Sequence, residues 1–253
     1  MKEKITLIGN GNMAFSLAKG LLDQYELEVV GRDLSKLELF EKKLQTKITK
    51  TLYSDFNADA KTLILCVKPA NIVDMKHMLK GRAKTLYSVL AGTTLEKLQH
   101  NIYADNYVRT MPNLAANVGK SMTTLTGDTI CQEEAKKIFN TIGQTLWVAT
   151  QKELDIATAL AGSGPAYLCL IAEAFADGAV KQGLKRDDAM SLMKGLFAGF
   201  GELIQDIHPA LLKDAVMSPG GTTAAGYSAL EENGVRSGCI KAVENAYKRA
   251  TEL

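Results

Sequence analysis

The chain has 253 residues, of which 46% are apolar and 23% charged, and a formal net charge of +2. That balance suits a globular enzyme of one large or two modest domains, and the scattered lysines and arginines form none of the basic faces that hold nucleic acid. The first strand starts at about Lys4, which leaves no room for a cleavable leader, and no later apolar run reaches the length of a membrane span, so a cytoplasmic protein with no membrane partner is expected.

Residues 1–22, MKEKITLIGNGNMAFSLAKGLL, run an apolar strand into Gly9-Asn10-Gly11-Asn12-Met13-Ala14 and then into a helical pattern. Gly9 permits a tight turn, Gly11 lets the backbone approach a pyrophosphate, and Ala14 stands where close packing of helix on strand needs a small residue. The free N–H groups at the helix start, aligned with its dipole, attract phosphates. A GxGxxA pattern alone is a weak signal. Its context is right on both sides here, so Gly9, Asn10, Gly11, Asn12 and Met13 are candidate cofactor-binding residues.

After a helix at 12–23, a short strand at 27–30 ends at Gly31-Arg32-Asp33, and residues 34–44 return to helical spacing, completing a βαβ unit. An enzyme that uses NAD places an acidic group near this strand end for the ribose hydroxyls. Arg32 stands there instead, a guanidinium suited to a 2′-phosphate, with Lys36 as a second cation. NADP(H) is therefore favoured, while the adjacent Asp33 keeps NAD(H) open. Residues 61–67, KTLILCV, form the near-continuous apolar run of a parallel strand covered on both faces, and Pro69 stops it. Val67 and Lys68 end that strand where open α/β sheets place their ligands, and both are candidate cofactor contacts. Further strands are expected at 85–89 and 107–110, then a helix around 132–142 and a closing strand at 144–148.

From Lys152 the pattern becomes helical only, with Pro165 and Pro209 at helix starts and Gly183 and Gly234 at helix stops, which puts a domain boundary near Thr150. Residues 165–180 are apolar over more than one face, and 187–207 carry a broad methionine and aromatic stripe best read as packing. A subunit partner is the simplest cover. The loop Ser218-Pro219-Gly220-Gly221-Thr222-Thr223 offers exposed backbone N–H groups and hydroxyls at a helix start, an anion site with no charged residue in it. Gly220, Gly221, Thr222 and Thr223 are candidate substrate-binding residues, with a simple N-cap role for Thr222 or Thr223 as the structural alternative. Cys66, Cys131, Cys169 and Cys239 lie far apart without CxxC spacing, and His77, His100 and His208 form no HxxxH pattern, so reduced structural thiols and no metal site are expected.

Seven stretches together resemble the pyrroline-5-carboxylate reductase family: IGNGNMA at 8–14, CVKP at 66–69, SVLAGTTLEKL at 88–98, VRTMPNLAANVG at 108–119, AGSGPAY at 161–167, FADGAVKQGL at 175–184 and LKDAVMSPGGTTAAGYSALEENGVR at 212–236. They spread over nearly the whole chain, and the last has no counterpart in generic dinucleotide-binding domains. The resemblance implies an N-terminal α/β domain with a Rossmann-type doubly wound sheet (1–150) and an all-helical dimerisation and substrate domain (151–253), with the active site at their junction. It implies hydride transfer from NADPH to the C=N bond of 1-pyrroline-5-carboxylate, giving L-proline in the last step of proline biosynthesis, by a homo-oligomer that is at least a dimer. The small-molecule partner is then a cyclic imine.

The resemblance carries Thr223 over as the catalytic residue, hydrogen-bonded to the ring nitrogen, and N–H groups of 221–223 as the carboxylate site. It carries over Ala91 and Asn113 as cofactor neighbours and Ser163, within Gly162-Ser163-Gly164-Pro165, as a substrate contact. Ala161 before Gly162 and Ala215 after Asp214 depart from residues common in the family and leave the finer substrate contacts open. Two rivals remain. A β-hydroxyacid dehydrogenase needs a proton-transferring lysine on the helix after a glycine-rich turn, but 165–180 contains none and Lys181 comes too late. A non-catalytic NADP-binding sensor would keep the fold without the chemistry, and the intact SPGGTT loop argues against it.

Overall fold

Alternating side chains along each central strand divide the apolar residues between two layers, and this sets the architecture. In the computed structural model, which describes residues 2–252, the chain runs through β1 (Lys4–Ile8), α1 (Asn12–Leu21), β2 (Glu26–Gly31), α2 (Leu34–Leu44), β3 (Thr49–Leu52), β4 (Thr62–Leu65) and α3 (Ile72–Met78). It continues with β5 (Ala83–Ser88), α4 (Leu95–Asn101), β6 (Ala104–Met111), β7 (Ser121–Gly127), α5 (Gln132–Phe139) and β8 (Gly143–Trp147). The eight strands form one sheet in the order β3-β2-β1-β4-β5-β6-β7-β8. Every neighbouring pair is parallel except β6 with β7.

Leu7, Val29, Ile64, Tyr87 and Val108 face one layer with Leu17, Leu37 and Phe139, from α1, α2 and α5. Ile8, Val30, Leu65 and Leu86 face the other, with Ile72, Met75 and Leu98 of α3 and α4. Each such side chain, fully buried, contributes about 1.5–3 kcal/mol through removal of apolar surface from water. Because β1 sits in the middle and the chain winds outward from it in both directions, the loops after β1 and β4 diverge to opposite faces. That opens a crevice at the carboxyl edge of the sheet.

Two of the strands, β3 and β7, and the helices α3 and α4 are additional to those expected. The residues of β7, SMTTLTG, look hydrophilic, yet Ser121, Thr123, Thr124 and Thr126 are buried; threonine's branched Cβ suits the pleat even where its hydroxyl hides the apolar pattern. Two charged residues, Glu28 and Arg109, are buried in the sheet itself. Glu28 is almost wholly buried and accepts hydrogen bonds from Thr6 Oγ1 (3.0 Å), Thr51 Oγ1 (2.7 Å) and Lys61 Nζ (2.9 Å). Burial pushes its pKa up, but these donors outweigh burial and hold the carboxyl below its ordinary range.

From Thr150 onward every element is helical. A capping box of Thr150 and Glu153 opens α6 (Gln151–Ala157), a π-helical turn covers Thr158–Gly162, and α7 (Gly164–Lys181), α8 (Arg186–Asp206), α9 (Pro209–Val216), α10 (Thr222–Glu232) and α11 (Val235–Thr251) follow. Pro209 stands at the start of α9, and Gly183 and Gly234 lie just beyond α7 and α10, as expected. Compactness divides the chain elsewhere: residues 2–163 with 246–252 make one unit and 164–245 the other. The first unit extends past Thr150 because α6 is tied to the sheet. Arg109, buried on β6, donates to Asp155 Oδ1 (2.7 Å) and Gln151 Oε1 (3.2 Å).

Within the second unit α7 and α8 pack through Ala172, Ala176, Ala189, Met193 and Phe197. Leu168, Leu170, Phe175, Leu192 and Leu196 of the same two helices are left exposed, the uncovered faces that the sequence led us to expect. Pro165 is the second residue of α7, at a helix start as expected. One expectation is corrected: the π-turn joins α6 and α7 into a single helical run, Gln151–Lys181, long enough and, with a mean hydropathy of 1.4 over an 18-residue stretch, apolar enough to cross a membrane. All four cysteines are free; Cys131 is buried, Cys66 is half-buried, and Cys169 on α7 and Cys239 on α11 are exposed.

Candidate active site

The loops leaving β1, β4 and β5 lie side by side at the carboxyl edge, stitched by Gly9 N to Val30 O (2.8 Å), Cys66 N to Ile8 O (2.8 Å) and Val89 N to Leu65 O (3.1 Å). Gly9 has φ +108, and a Cβ there would stand 3.0 Å from the Cys66 carbonyl oxygen and 3.4 Å from Val67 Cγ1. The turn is therefore pressed against the end of β4, which brings Gly9 and Val67 together. Gly11 differs: it is the N-cap of α1 with ordinary extended backbone, and a Cβ on it would meet no atom within 4 Å. The first turn of α1 has no acidic residue and no side-chain cap, so its N–H groups face open space beside Asn10, Asn12 and Met13. Val67 is half-buried, Lys68 exposed and Ala91 half-buried on the loop after β5. Burial pushes the Cys66 thiol up and keeps it neutral.

Arg32 follows β2 directly and is about half exposed, with its guanidinium 3.2 Å from Asp74 Oδ2 on α3. Asp33 is committed to local structure: its carboxylate caps α2, accepting from Ser35 N (2.9 Å) and Lys36 N (3.4 Å). Tyr53, just beyond β3, is near enough to feel Arg32; burial pushes its phenol up to about 12, and the guanidinium offsets part of that. An uncapped helix start without acidic neighbours, free space over Gly11 and a cation at the end of β2 fit a dinucleotide that carries a 2′-phosphate.

Asn113 lies just past β6. Its Oδ1 accepts from Ala115 N (3.1 Å), its Nδ2 donates to Ala161 O (3.0 Å), and its backbone N–H donates to Ser121 Oγ (3.1 Å). The structure thus brings Asn113 to the turn that ends at Ser163, which is half-buried.

In the helical unit, the loop at 218–223 feeds α10. Gly221 is the N-cap, no side chain caps the helix, and the first intrahelical bond is Ala225 N to Gly221 O (3.3 Å). The N-cap alternative for Thr222 and Thr223 is therefore not realised: both lie inside the first turn and are exposed. Gly220 has φ +68, a conformation that other residues rarely adopt although the space beside it is open, and a Cβ on Gly221 would run into Ser218 Oγ and force that side chain to move. No acidic residue occupies the first turn. Thr223 lines one end of an apolar cleft of about 510 Å³ walled by Leu196, Phe200, Leu203, Leu212 and Val216.

Comparison with known proteins bears on all of this. Residues 151–253 match the family model described as pyrroline-5-carboxylate reductase dimerisation, and residues 4–92 match one described as NADP oxidoreductase, coenzyme F420-dependent. The pyrroline-5-carboxylate reductase of Synechocystis sp. is 35% identical, with 100% of this chain and 99% of that protein aligned. The chain belongs to the pyrroline-5-carboxylate reductase family. Among solved structures, the 1-pyrroline-5-carboxylate reductase of Streptococcus pyogenes superposes with a TM-score of 0.85 at 28% identity, covering 99% of this chain and 98% of that one. The pyrroline carboxylate reductase of Plasmodium falciparum, solved with NADP bound, gives 0.80 at 26% identity over 98% of each chain.

Within the pyrroline-5-carboxylate reductase family frame, the segment that matches the dimerisation model is the one whose helices leave apolar faces uncovered. Sequence reasoning missed Arg109, Gln151 and Asp155, the set that ties α6 to the sheet. An arginine inside an otherwise apolar strand, YVRTM, was the available signal, since a buried charge requires a partner. Tyr53 and Asp74 were also missed, because the short strand β3 and the helix α3 that position them carry little periodic pattern.

Proposed function

We propose that this chain is an NADPH-dependent reductase that converts 1-pyrroline-5-carboxylate into L-proline, the last step of proline biosynthesis. The observation that carries the reading is the uncapped, uncharged start of α10 at 218–223, an anion cradle that a bare nucleotide sensor has no use for. NADPH, when bound, supplies a hydride to the carbon of the ring C=N bond. Gly9, Asn10, Gly11, Asn12 and Met13 hold its pyrophosphate, Arg32 its 2′-phosphate, and Val67, Lys68 and Ala91 line the part of the carboxyl edge nearer the nicotinamide. NADH remains a weaker donor in this reading, since Asp33 is engaged as a helix cap.

The substrate carboxylate is held by backbone N–H groups of Gly221, Thr222 and Thr223 with Gly220 shaping the turn, and Ser163 adds a polar contact. Thr223 Oγ bonds the ring nitrogen and orients the C=N bond. With that nitrogen protonated as an iminium, hydride addition yields the amine directly, and no side-chain acid has to deliver a proton. Self-association through residues 151–253 covers the apolar helix faces. The reading places the enzyme in the cytoplasm, a reducing compartment in keeping with four free cysteines.

The test is NADPH oxidation followed by loss of its near-ultraviolet absorbance with pyrroline-5-carboxylate as acceptor, repeated with NADH and with piperideine-6-carboxylate. Oxidation with stoichiometric proline supports the reading. NADPH binding without oxidation of any cyclic imine replaces it with the sensor.

A further inference from the structure

In an unbroken α-helix the carbonyl of Ala161 would accept from the N–H four residues on. That residue is Pro165, which has none. The structure supplies the donor from outside the helix: Asn113 Nδ2 reaches Ala161 O at 3.0 Å. Just upstream the backbone takes in an extra residue, with Ser163 N donating to Thr158 O at 3.0 Å across the π-turn Thr158–Gly162. Such turns inside α-helices are rare and gather at functional sites, and an inserted residue rotates everything after it by about 100° relative to an uninterrupted helix. The residue at the exit is Ser163.

Asn113 is held at its other end as well. Its Oδ1 accepts from Ala115 N, and its own N–H is fixed to the buried Ser121 Oγ, which shares a 3.0 Å hydrogen bond with Thr123 Oγ1 on β7. The amide therefore transmits the position of the sheet to the turn.

We propose that Asn113 is a positioning residue for the substrate: it replaces the N–H that Pro165 lacks, holds the turn at 158–162 in its π register, and so fixes Ser163 against the cyclic imine. The inference rests on the substrate role proposed for Ser163 above. Asn113→Asp isolates the bond, since aspartate keeps the acceptor for Ala115 N but sets a carboxylate oxygen against the Ala161 carbonyl. Pro165→Ala returns a backbone N–H to that carbonyl.

The two variants and their combination are compared by KM for pyrroline-5-carboxylate, KM for NADPH, and amide hydrogen exchange over 158–163. Asn113→Asp is expected to raise the imine KM roughly 3- to 10-fold, the range for one lost hydrogen bond, to leave the NADPH KM unchanged, and to speed exchange at Ser163. Adding Pro165→Ala recovers most of both effects. Unchanged exchange, equal rises in the two KM values, or no recovery in the double variant overturns the proposal. If Asn113→Asp alone does not fold, the Pro165→Ala background decides: a folded double variant supports the proposal and an unfolded one overturns it. Exchange that behaves as expected in a chain that reduces no pyrroline-5-carboxylate overturns the substrate half and leaves the clamp on the turn standing.

Discussion

Two glycines of one turn, replaced in turn by alanine, should separate folding from cofactor binding. At Gly11 the backbone is extended (φ −81, ψ −174), a conformation open to any residue, and the added methyl would meet no protein atom. Alanine there restricts the unfolded chain, a gain of about 0.4–1 kcal/mol, and is a poorer N-cap by up to about 1 kcal/mol. The two terms nearly cancel, so the melting temperature should move by no more than about 4 °C. At Gly9 the backbone has φ +108 and the new Cβ would stand 3.0 Å from a main-chain carbonyl oxygen that cannot swing away. That strain costs about 1–3 kcal/mol and, at about 2–4 °C per kcal/mol for a chain of this size, lowers the melting temperature by several degrees. NADPH affinity should respond in the other sense. The methyl of Gly11→Ala projects into the space over the α1 N–H groups and should weaken binding by about 10-fold or more, as expected when charge-assisted hydrogen bonds to phosphate are lost. Fluorescence titration with NADPH and thermal denaturation of both variants give the answer. A Gly11→Ala protein that binds NADPH as tightly as wild type would refute the placement of the pyrophosphate at this turn.

Arg32→Ala should raise the Michaelis constant for NADPH far more than that for NADH, and Asp74→Asn, which releases the guanidinium from its ion pair, should lower the NADPH value by about 2-fold or more; steady-state kinetics with both cofactors checks each. Thr223→Ala should reduce turnover by about 10-fold, through loss of one oriented hydrogen bond of about 1.5 kcal/mol. NADPH affinity and melting temperature should stay the same, because no side chain caps α10. Glu28→Gln should destabilise the protein by about 1–3 kcal/mol at neutral pH by weakening three buried hydrogen bonds. The Glu28 carboxyl has a folded-state pKa below its unfolded value, so its contribution is fully present above the ordinary carboxylate range and is lost as pH falls through the folded value. Melting curves of wild type and variant should therefore converge on acidification below about pH 4, and a constant gap would contradict the assignment.

The central strands, the first glycine turn and the helices α1 and α2 were legible because they obey simple periods, and the apolar spacing located α2 to the residue, although Asp33 was read as a cofactor residue and not as its cap. The strand β7 was not, because buried threonines disguise an apolar face, and α3 and α4 are too short to show a period. Within the candidate site, residue types pointed to a phosphate turn at 9–14 and an anion loop at 218–223, while only the structure showed Arg32 in an ion pair and Asp33 in a cap. Asn113 shows the opposite limit. Its link to Ala161 joins residues far apart in sequence, and no local pattern records that a side chain on one element completes the backbone of another.

The cradle proposed at 218–223 is built from the main chain and has no ionisable group of its own. Between the pKa of a bound carboxylate and that of the imine nitrogen, acidity cannot switch it on or off, so the pH dependence of turnover should report the substrate's protonation and not the protein's. Its backbone donors survive side-chain truncation as such, since every residue type except proline provides the same N–H. Loss of function through this loop would come from changes that alter backbone shape, at Gly220 and Gly221 above all, or from replacing an amide by an ester.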